Sequence, residues 1–211
     1  STTGVSQEVF EAMKPYFKND FGNPSSLHDK GINIRKAINS SKKKIVSLLN
    51  CNNSEIFFTS CGTESINWAL KGLAFSHSSK SEIITTKIEH HSTLHTVEFL
   101  EELGFIVHYL DVDENGFIDL KQLKSLVNDN TLVVSIILAN NEIGTIQHVD
   151  EISRICENAR TYLHVDAVQA ITHMPIDLSA MNVDLLSISG HKFHAPKGIG
   201  LLYVKTGVHL Q

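Results

Sequence analysis

Apolar residues along the chain recur with two different spacings. Ile32, Ala37, Ile38, Ile45, Leu48 and Leu49 fall on one face at helical period and predict a long helix from about residue 28 to residue 50. The same spacing predicts helices over residues 6–18, 63–75, 93–103, 120–127 and 150–160. Pro15 interrupts the first of these, since a proline inside a helix removes a backbone donor. Between the helices lie short apolar runs at residues 55–58, 82–86, 105–110, 132–138, 162–165, 185–188 and 199–204, which read as strands. Residues 132–138 are apolar except for Ser135 and rich in β-branched side chains, as expected for a strand buried on both faces. Residues 21–26 and Asp113 to Gly116 carry the turn-forming residues. Strands alternating with helices, with no internal repeat and no low-complexity linker, predict one α/β layer architecture built on a mostly parallel sheet. In such sheets ligands sit beyond the carboxyl ends of the strands.

Composition narrows the function. The 211 residues are 42% hydrophobic and 19% charged, which is enough apolar material for a real core. The net charge is -5, and Arg35, Arg154 and Arg160 are the only arginines, so a basic nucleic-acid groove is not expected. No apolar run approaches a membrane span. No charged-then-apolar segment opens the chain, which starts at Ser1. Cys51, Cys61 and Cys156 show no pairing pattern. The expectation is a cytoplasmic enzyme or binding protein. The 12 histidines are many for this length.

Five predicted strand ends carry polar chemistry. Thr59-Ser60-Cys61-Gly62-Thr63 precedes a helix, and its small residues suit either an anion seat on free backbone N–H groups or a plain helix cap by Ser60 or Thr63. Neither a P-loop nor a dinucleotide fingerprint occurs. Asp166 closes an apolar strand, either to cap the next helix or to hold a protonated nitrogen. Lys192 follows a buried strand directly, in Ser189-Gly190-His191-Lys192. Poor hydration there favours a neutral, nucleophilic amine able to form a Schiff base; the alternative is a snorkelling surface lysine. The Pro and Gly residues that follow favour a fixed turn. His91 and His95 are four apart, a weak metal-pair signal that no nearby carboxylate or thiol completes. Asn140 and Asn141 either donate to a ligand or form an Asx-turn. Together these residues are the parts that pyridoxal phosphate requires: a lysine for a Schiff base, a carboxylate for the ring nitrogen and an anchored phosphate.

Several motifs stand in order along nearly the whole chain. Phe21 to Ser26 (FGNPSS), Thr59 to Asn67, Glu89-His90, Asn140 to Gly144 (NNEIG), His164 to Gln169 (HVDAVQ), Ser189 to Lys192 (SGHK) and Pro196 to Gly200 (PKGIG) resemble those of the cysteine desulfurases, within the class-V aminotransferase family of fold-type I pyridoxal-phosphate enzymes. The resemblance implies a three-layer α/β/α large domain over residues 1–211, with pyridoxal 5'-phosphate as cofactor. It implies that Lys192 carries the cofactor and moves protons, and that His90 stacks on its ring and assists proton transfer. Asp166 would pair with the ring nitrogen, while Gln169 and Asn141 would lie by the phenolic oxygen. Gly62, Thr63, Ser189 and His191 would cup the phosphate.

The implied reaction takes sulfur from L-cysteine, giving L-alanine and an enzyme persulfide for a sulfur acceptor or iron–sulfur scaffold protein. The implied enzyme is a homodimer, with neither nucleic acid nor membrane as partner. Two positions depart from the pattern: Cys61 and Ala195 each stand where glycine is usual. A small filler is the expected role of Cys61. The family's opening segment would precede Ser1, and its small domain, with the nucleophilic Cys and a substrate-binding Arg, would follow Gln211. The chain therefore reads as a cofactor-binding piece, inactive alone. The rival readings are another class-V aminotransferase, a selenocysteine lyase, a non-catalytic remnant kept for protein contact, and a His-rich metal-binding protein.

Overall fold

A computed structural model describes residues 2–77 and 79–211. The chain runs α1 (Gln7–Lys18), α2 (Asp29–Leu49), β1 (Ile56–Thr59), α3 (Gly62–Ser76), β2 (Glu82–Thr86), α4 (His91–Glu102), β3 (Ile106–Leu110), α5 (Leu120–Leu126), β4 (Thr131–Ile137), α6 (Val149–Asn158), β5 (Tyr162–Asp166), β6 (Leu185–Ser189) and β7 (Gly200–Val204). The strands form one sheet in the order β1-β7-β6-β5-β4-β2-β3. Strands β2 to β6 are parallel where they pair, and β7 runs antiparallel between β1 and β6.

The strand period of two divides the core. Ile84, Val134, Leu186 and Tyr203 pack on one face, with Leu49 of α2, Leu123 of α5 and Ile152 of α6. Their chain neighbours Ile83, Val133, Leu185 and Leu202 pack on the other, with Ile66, Leu70 and Leu73 of α3 and Val97 and Leu100 of α4. Successive side chains of a strand point to opposite faces, so strands apolar at every position bury both faces under helices. The expected three-layer α/β/α arrangement follows. Each fully buried Leu, Ile or Val contributes roughly 1.5–3 kcal/mol from water exclusion.

The expected elements are present, with shifts that have physical causes. The helix predicted from residue 93 starts two residues earlier because His90 caps it, its side chain accepting from the Ser92 N–H. Helix α1 continues through Pro15. None of its residues is buried, so water can serve the carbonyl that the proline leaves unpaired. Strands β5 and β6 each run one residue further than predicted, so that Asp166 and Ser189 are the last residues of their strands. Among the described residues no helix is long and apolar enough to cross a membrane.

The antiparallel β7 decides the geometry of the site. Gly200 is paired with Thr59 on one side and Ser189 on the other, which puts two distant segments on one rung. A Cβ at Gly200 would lie 2.6 Å from the Cys61 carbonyl carbon and 2.6 Å from Thr59 Oγ1. Gly200→Ala is therefore expected to push the start of α3 away from β7, with a loss of about 1–3 kcal/mol from overpacking. Thermal denaturation of the variant against the parent measures this, and an unchanged midpoint would contradict it.

Candidate active site

The carboxyl ends of the central strands open into a cavity of about 190 Å³. Its walls include Gly62, Thr63, His90, Asn141, Asp166, Gln169, Ser189, His191 and Lys192. The sequence-predicted residues therefore converge on one cavity, although they are spread over 131 positions from Gly62 to Lys192. Cys61, Ser92, Ile137 and Val168 complete much of the wall.

One end of the cavity is the start of α3. The helix cap is Cys61, not Ser60 or Thr63, with its Sγ accepting from the Glu64 N–H at 3.5 Å. Ser60 is occupied differently, donating through both its N–H and its hydroxyl to the Glu64 carboxylate at 2.6 and 2.5 Å. Gly62 and Thr63, the first two residues of the helix, face the cavity, where backbone N–H groups and the helix dipole favour an anion. A Cβ at Gly62 would lie 2.9 Å from Val168 Cγ2 and 3.3 Å from Ser189 Cβ, so only glycine lets the helix start sit this close. Ser189 is 1% exposed, and its Oγ has no hydrogen-bond partner among the described residues. A buried hydroxyl without a partner is costly, and an anion seated at the helix start would supply one.

The middle of the cavity carries the charges. Asp166 is 2% exposed, and burial pushes its carboxyl up to about 6, against the pull of the Val168 N–H at 2.9 Å and of Lys192. A carboxylate kept in such a place is suited to a protonated ring nitrogen, which would restore its charge balance. His90 accepts from the Ser92 N–H through Nδ1 at 3.1 Å, with Ser92 Oγ at 2.7 Å from the same nitrogen. The neutral ring therefore carries its proton on Nε2. Burial, and the charges of His91 and Lys192, hold His90 below the usual imidazole range. Burial and Lys192 do the same to His191.

Lys192 ends the short turn of residues 190–192, directly after β6, and is half-buried. Its loop is fixed, as the sequence suggests. Gly190 N–H donates to the Ile199 carbonyl at 2.9 Å, and Ala195 N–H donates to the Gly190 carbonyl at 3.1 Å. The chain start is tied to the same loop, with Thr3 N–H donating to the His191 carbonyl at 2.9 Å.

The two adjacent amides divide their tasks. Asn140 builds the turn, its Oδ1 accepting from Glu142 and Ile143 while its Nδ2 donates to the Ile88 carbonyl at 2.9 Å. Asn141 faces the cavity. The rings of His91 and His95 lie 5.4 Å apart, but among the described residues no group of three or more His, Cys, Asp or Glu could hold a metal.

Sequence reasoning missed two buried groups. His164 is fully buried between the Ser135 hydroxyl at 2.8 Å and the Ser187 hydroxyl at 2.9 Å, joining β4, β5 and β6. Glu89 is buried immediately before His90. For His164 the signal was present: a histidine and two serines inside apolar strands imply mutual satisfaction.

Comparison with known proteins agrees with this geometry. The family "Aminotransferase class-V" matches residues 1–211. The cysteine desulfurase IscS of Clostridium botulinum (strain Kyoto / Type A2) is 51% identical over 212 aligned residues, covering 100% of this chain and 53% of that protein. A solved NifS-like protein superposes with a TM-score of 0.97 at 44% identity, covering 100% of this chain and 58% of the other. A structure of SspA in complex with cysteine gives 0.96 at 39% identity, covering 100% and 61%. The chain thus spans about half the length of the curated relatives it matches. The matched length, the three-layer sheet and the cavity at its strand ends agree, and the chain belongs to the class-V aminotransferase family.

Proposed function

We propose that residues 1–211 are the pyridoxal-phosphate-binding part of a cysteine desulfurase. The observation that carries this reading is a buried carboxylate, Asp166, and a lysine, Lys192, in one cavity whose far end is an anion seat with the orphaned Ser189 hydroxyl. The residues fit the cofactor. Gly62, Thr63, Ser189 and His191 would hold its phosphate, Asp166 its ring nitrogen, and Gln169 and Asn141 its phenolic oxygen. Lys192 would hold it covalently. When bound, the cofactor supplies an electron sink for the bonds at the substrate α-carbon.

The chain's own groups then have defined tasks. Asp166 keeps a proton on the ring nitrogen. Lys192 moves the proton at the α-carbon, for which an amine positioned on a fixed turn is suited. His90 covers one side of the site and offers a proton from Nε2.

Sulfur from L-cysteine passes to a thiol, so that cysteine and a thiol give alanine and a persulfide. Burial pushes the Cys51 thiol up to about 11 and the Cys156 thiol up to about 12, which leaves almost no thiolate at neutral pH and makes both poor acceptors. Cys61 serves as the cap of α3, its Sγ accepting from the Glu64 N–H at 3.5 Å, and the reading assigns the acceptor thiol to residues outside 1–211. The similarity to named cysteine desulfurases supports the substrate. Apolar residues exposed on and around α1, among them Phe10, Phe17 and Phe21, support a covered surface in the full protein, as a homodimer or against a further domain. Three unpaired cysteines favour a reducing compartment such as the cytoplasm.

The test is product analysis. The full-length protein, loaded with pyridoxal phosphate and given L-cysteine and a reductant, is expected to yield alanine and sulfide in equal amounts. A keto acid as the main product would replace this reading with aminotransferase chemistry.

A further inference from the structure

We propose that Glu89 is a positioning residue of this site: a carboxyl held protonated between β4 and the start of α4, which fixes His90 at the cavity and leaves Asp166 as the charged carboxylate. This rests on the cofactor reading above. Glu89 is 6% exposed, and its Oε1 accepts from the Ile137 N–H at 2.9 Å and from Thr86 Oγ1 at 2.8 Å. Its Oε2 has no hydrogen-bond partner among the described residues.

The Ile137 bond matters for geometry. Ile137 is the last residue of β4 and is paired with Asp166 across the sheet. Glu89 therefore ties the turn that ends in His90 to the rung that carries Asp166. His90 is the cap of α4, so the helix start and the imidazole are held by the same contact.

The protonation state follows from the surroundings. Ionised, Glu89 would bury a charge with one oxygen unsatisfied, beside a second carboxylate; neutral, it leaves only a hydroxyl. Burial, with Asp166 adding a like charge, pushes Glu89 up to about 8, above the value of about 6 for Asp166. Asp166 is the group drawn down by Lys192, and Lys192 and His91 act on His90. Two carboxyls with separated affinities take separate roles. As pH falls, Glu89 takes up its proton before Asp166 does, so one negative charge remains in the site at neutral pH.

Infrared difference spectroscopy tests this on the full-length protein. Wild type minus Glu89→Gln is expected to show, at pH 7, the carbonyl stretch of a protonated carboxylic acid above the amide I band, fading as pH rises past about 8. Carboxylate bands alone at pH 7 would overturn the inference. This measurement needs no cofactor, so its failure is distinct from failure of the cofactor to load.

In the loaded protein, an alkaline inflection near pH 8 in the visible absorbance is expected for wild type and not for Glu89→Gln. Persistence of that inflection in Glu89→Gln would also overturn the inference. Glu89→Ala, which removes the tie to Ile137, is expected to lower kcat at least about tenfold, and Glu89→Gln to restore most of that loss. Equal kcat in the Ala and Gln variants would remove the positioning role.

Discussion

Replacing Lys192 with Ala is expected to abolish the visible absorbance that pyridoxal phosphate gives on binding to the full-length protein, and to lower kcat by at least ~10³-fold, within the range that a positioned proton-transfer group contributes. The fold should survive. Lys192 lies half-buried on a turn after β6, and the turn is held by backbone bonds from Gly190 to Ile199 and from Ala195 to Gly190, which do not depend on the side chain at 192. Asp166 is directly affected. It loses the nearby positive charge that opposes its burial, so its carboxyl should take up a proton more readily. Lys192→Arg separates charge from chemistry, because a guanidinium restores the charge but does not give up its proton. The Arg variant should keep phosphate affinity yet still lack the absorbance band. A band of wild-type strength in Lys192→Ala would sink the assignment of the lysine.

A second large effect concerns stability. His164→Leu is expected to destabilise the protein by about 3–5 kcal/mol, because the Ser135 and Ser187 hydroxyls lose their shared partner at once inside the sheet. The pH dependence makes this specific. Burial holds the native His164 imidazole down to about 3, whereas an unfolded histidine protonates near 6.5. Between these values the unfolded state binds one more proton. Wild-type stability therefore falls as pH drops through that window, by at most about 1.4 kcal/mol per pH unit.

The raised carboxyls of Asp166 and Glu89 act in the opposite sense. Their native states bind the extra proton, so stability falls as pH rises through about 6 and about 8. Those groups are common to wild type and variant and drop out of the difference. The gap in melting temperature between wild type and His164→Leu should thus be widest at neutral pH and narrow on acidification to about pH 4. A gap independent of pH would show that His164 is not held neutral.

Much of the site was legible because its residue types are unusual where they stand. A serine, an aspartate and a lysine at the ends of apolar strands each need a reason, and the alternation of helix and strand sets those ends on one side of the sheet. What stayed hidden depended on non-local contact. The capping role of Cys61 was not readable, since Ser60 and Thr63 are better caps by type; Ser60 is diverted to Glu64 and Thr63 lies inside the helix. Nor was Glu89 readable as a buried acid. Only the pairing of β2 with β4, and of β4 with β5, brings Ile137 and Asp166 beside it.

The sequence by itself determined the α/β class and nearly all the elements, because side-chain period is a local property, and strand-end chemistry with the ordered motifs picked out much of the cavity wall, though not Ser92, Ile137 or Val168. The tertiary structure decided where those residues meet. Strand β7 enters antiparallel between β1 and β6, a choice that an apolar run of five residues does not encode. That insertion places Thr59, Gly200 and Ser189 on one rung and sets the anion seat beside the lysine loop. Burial in the folded sheet, which exists only once the layers have packed, then set the proton affinities of Glu89, His164 and Asp166.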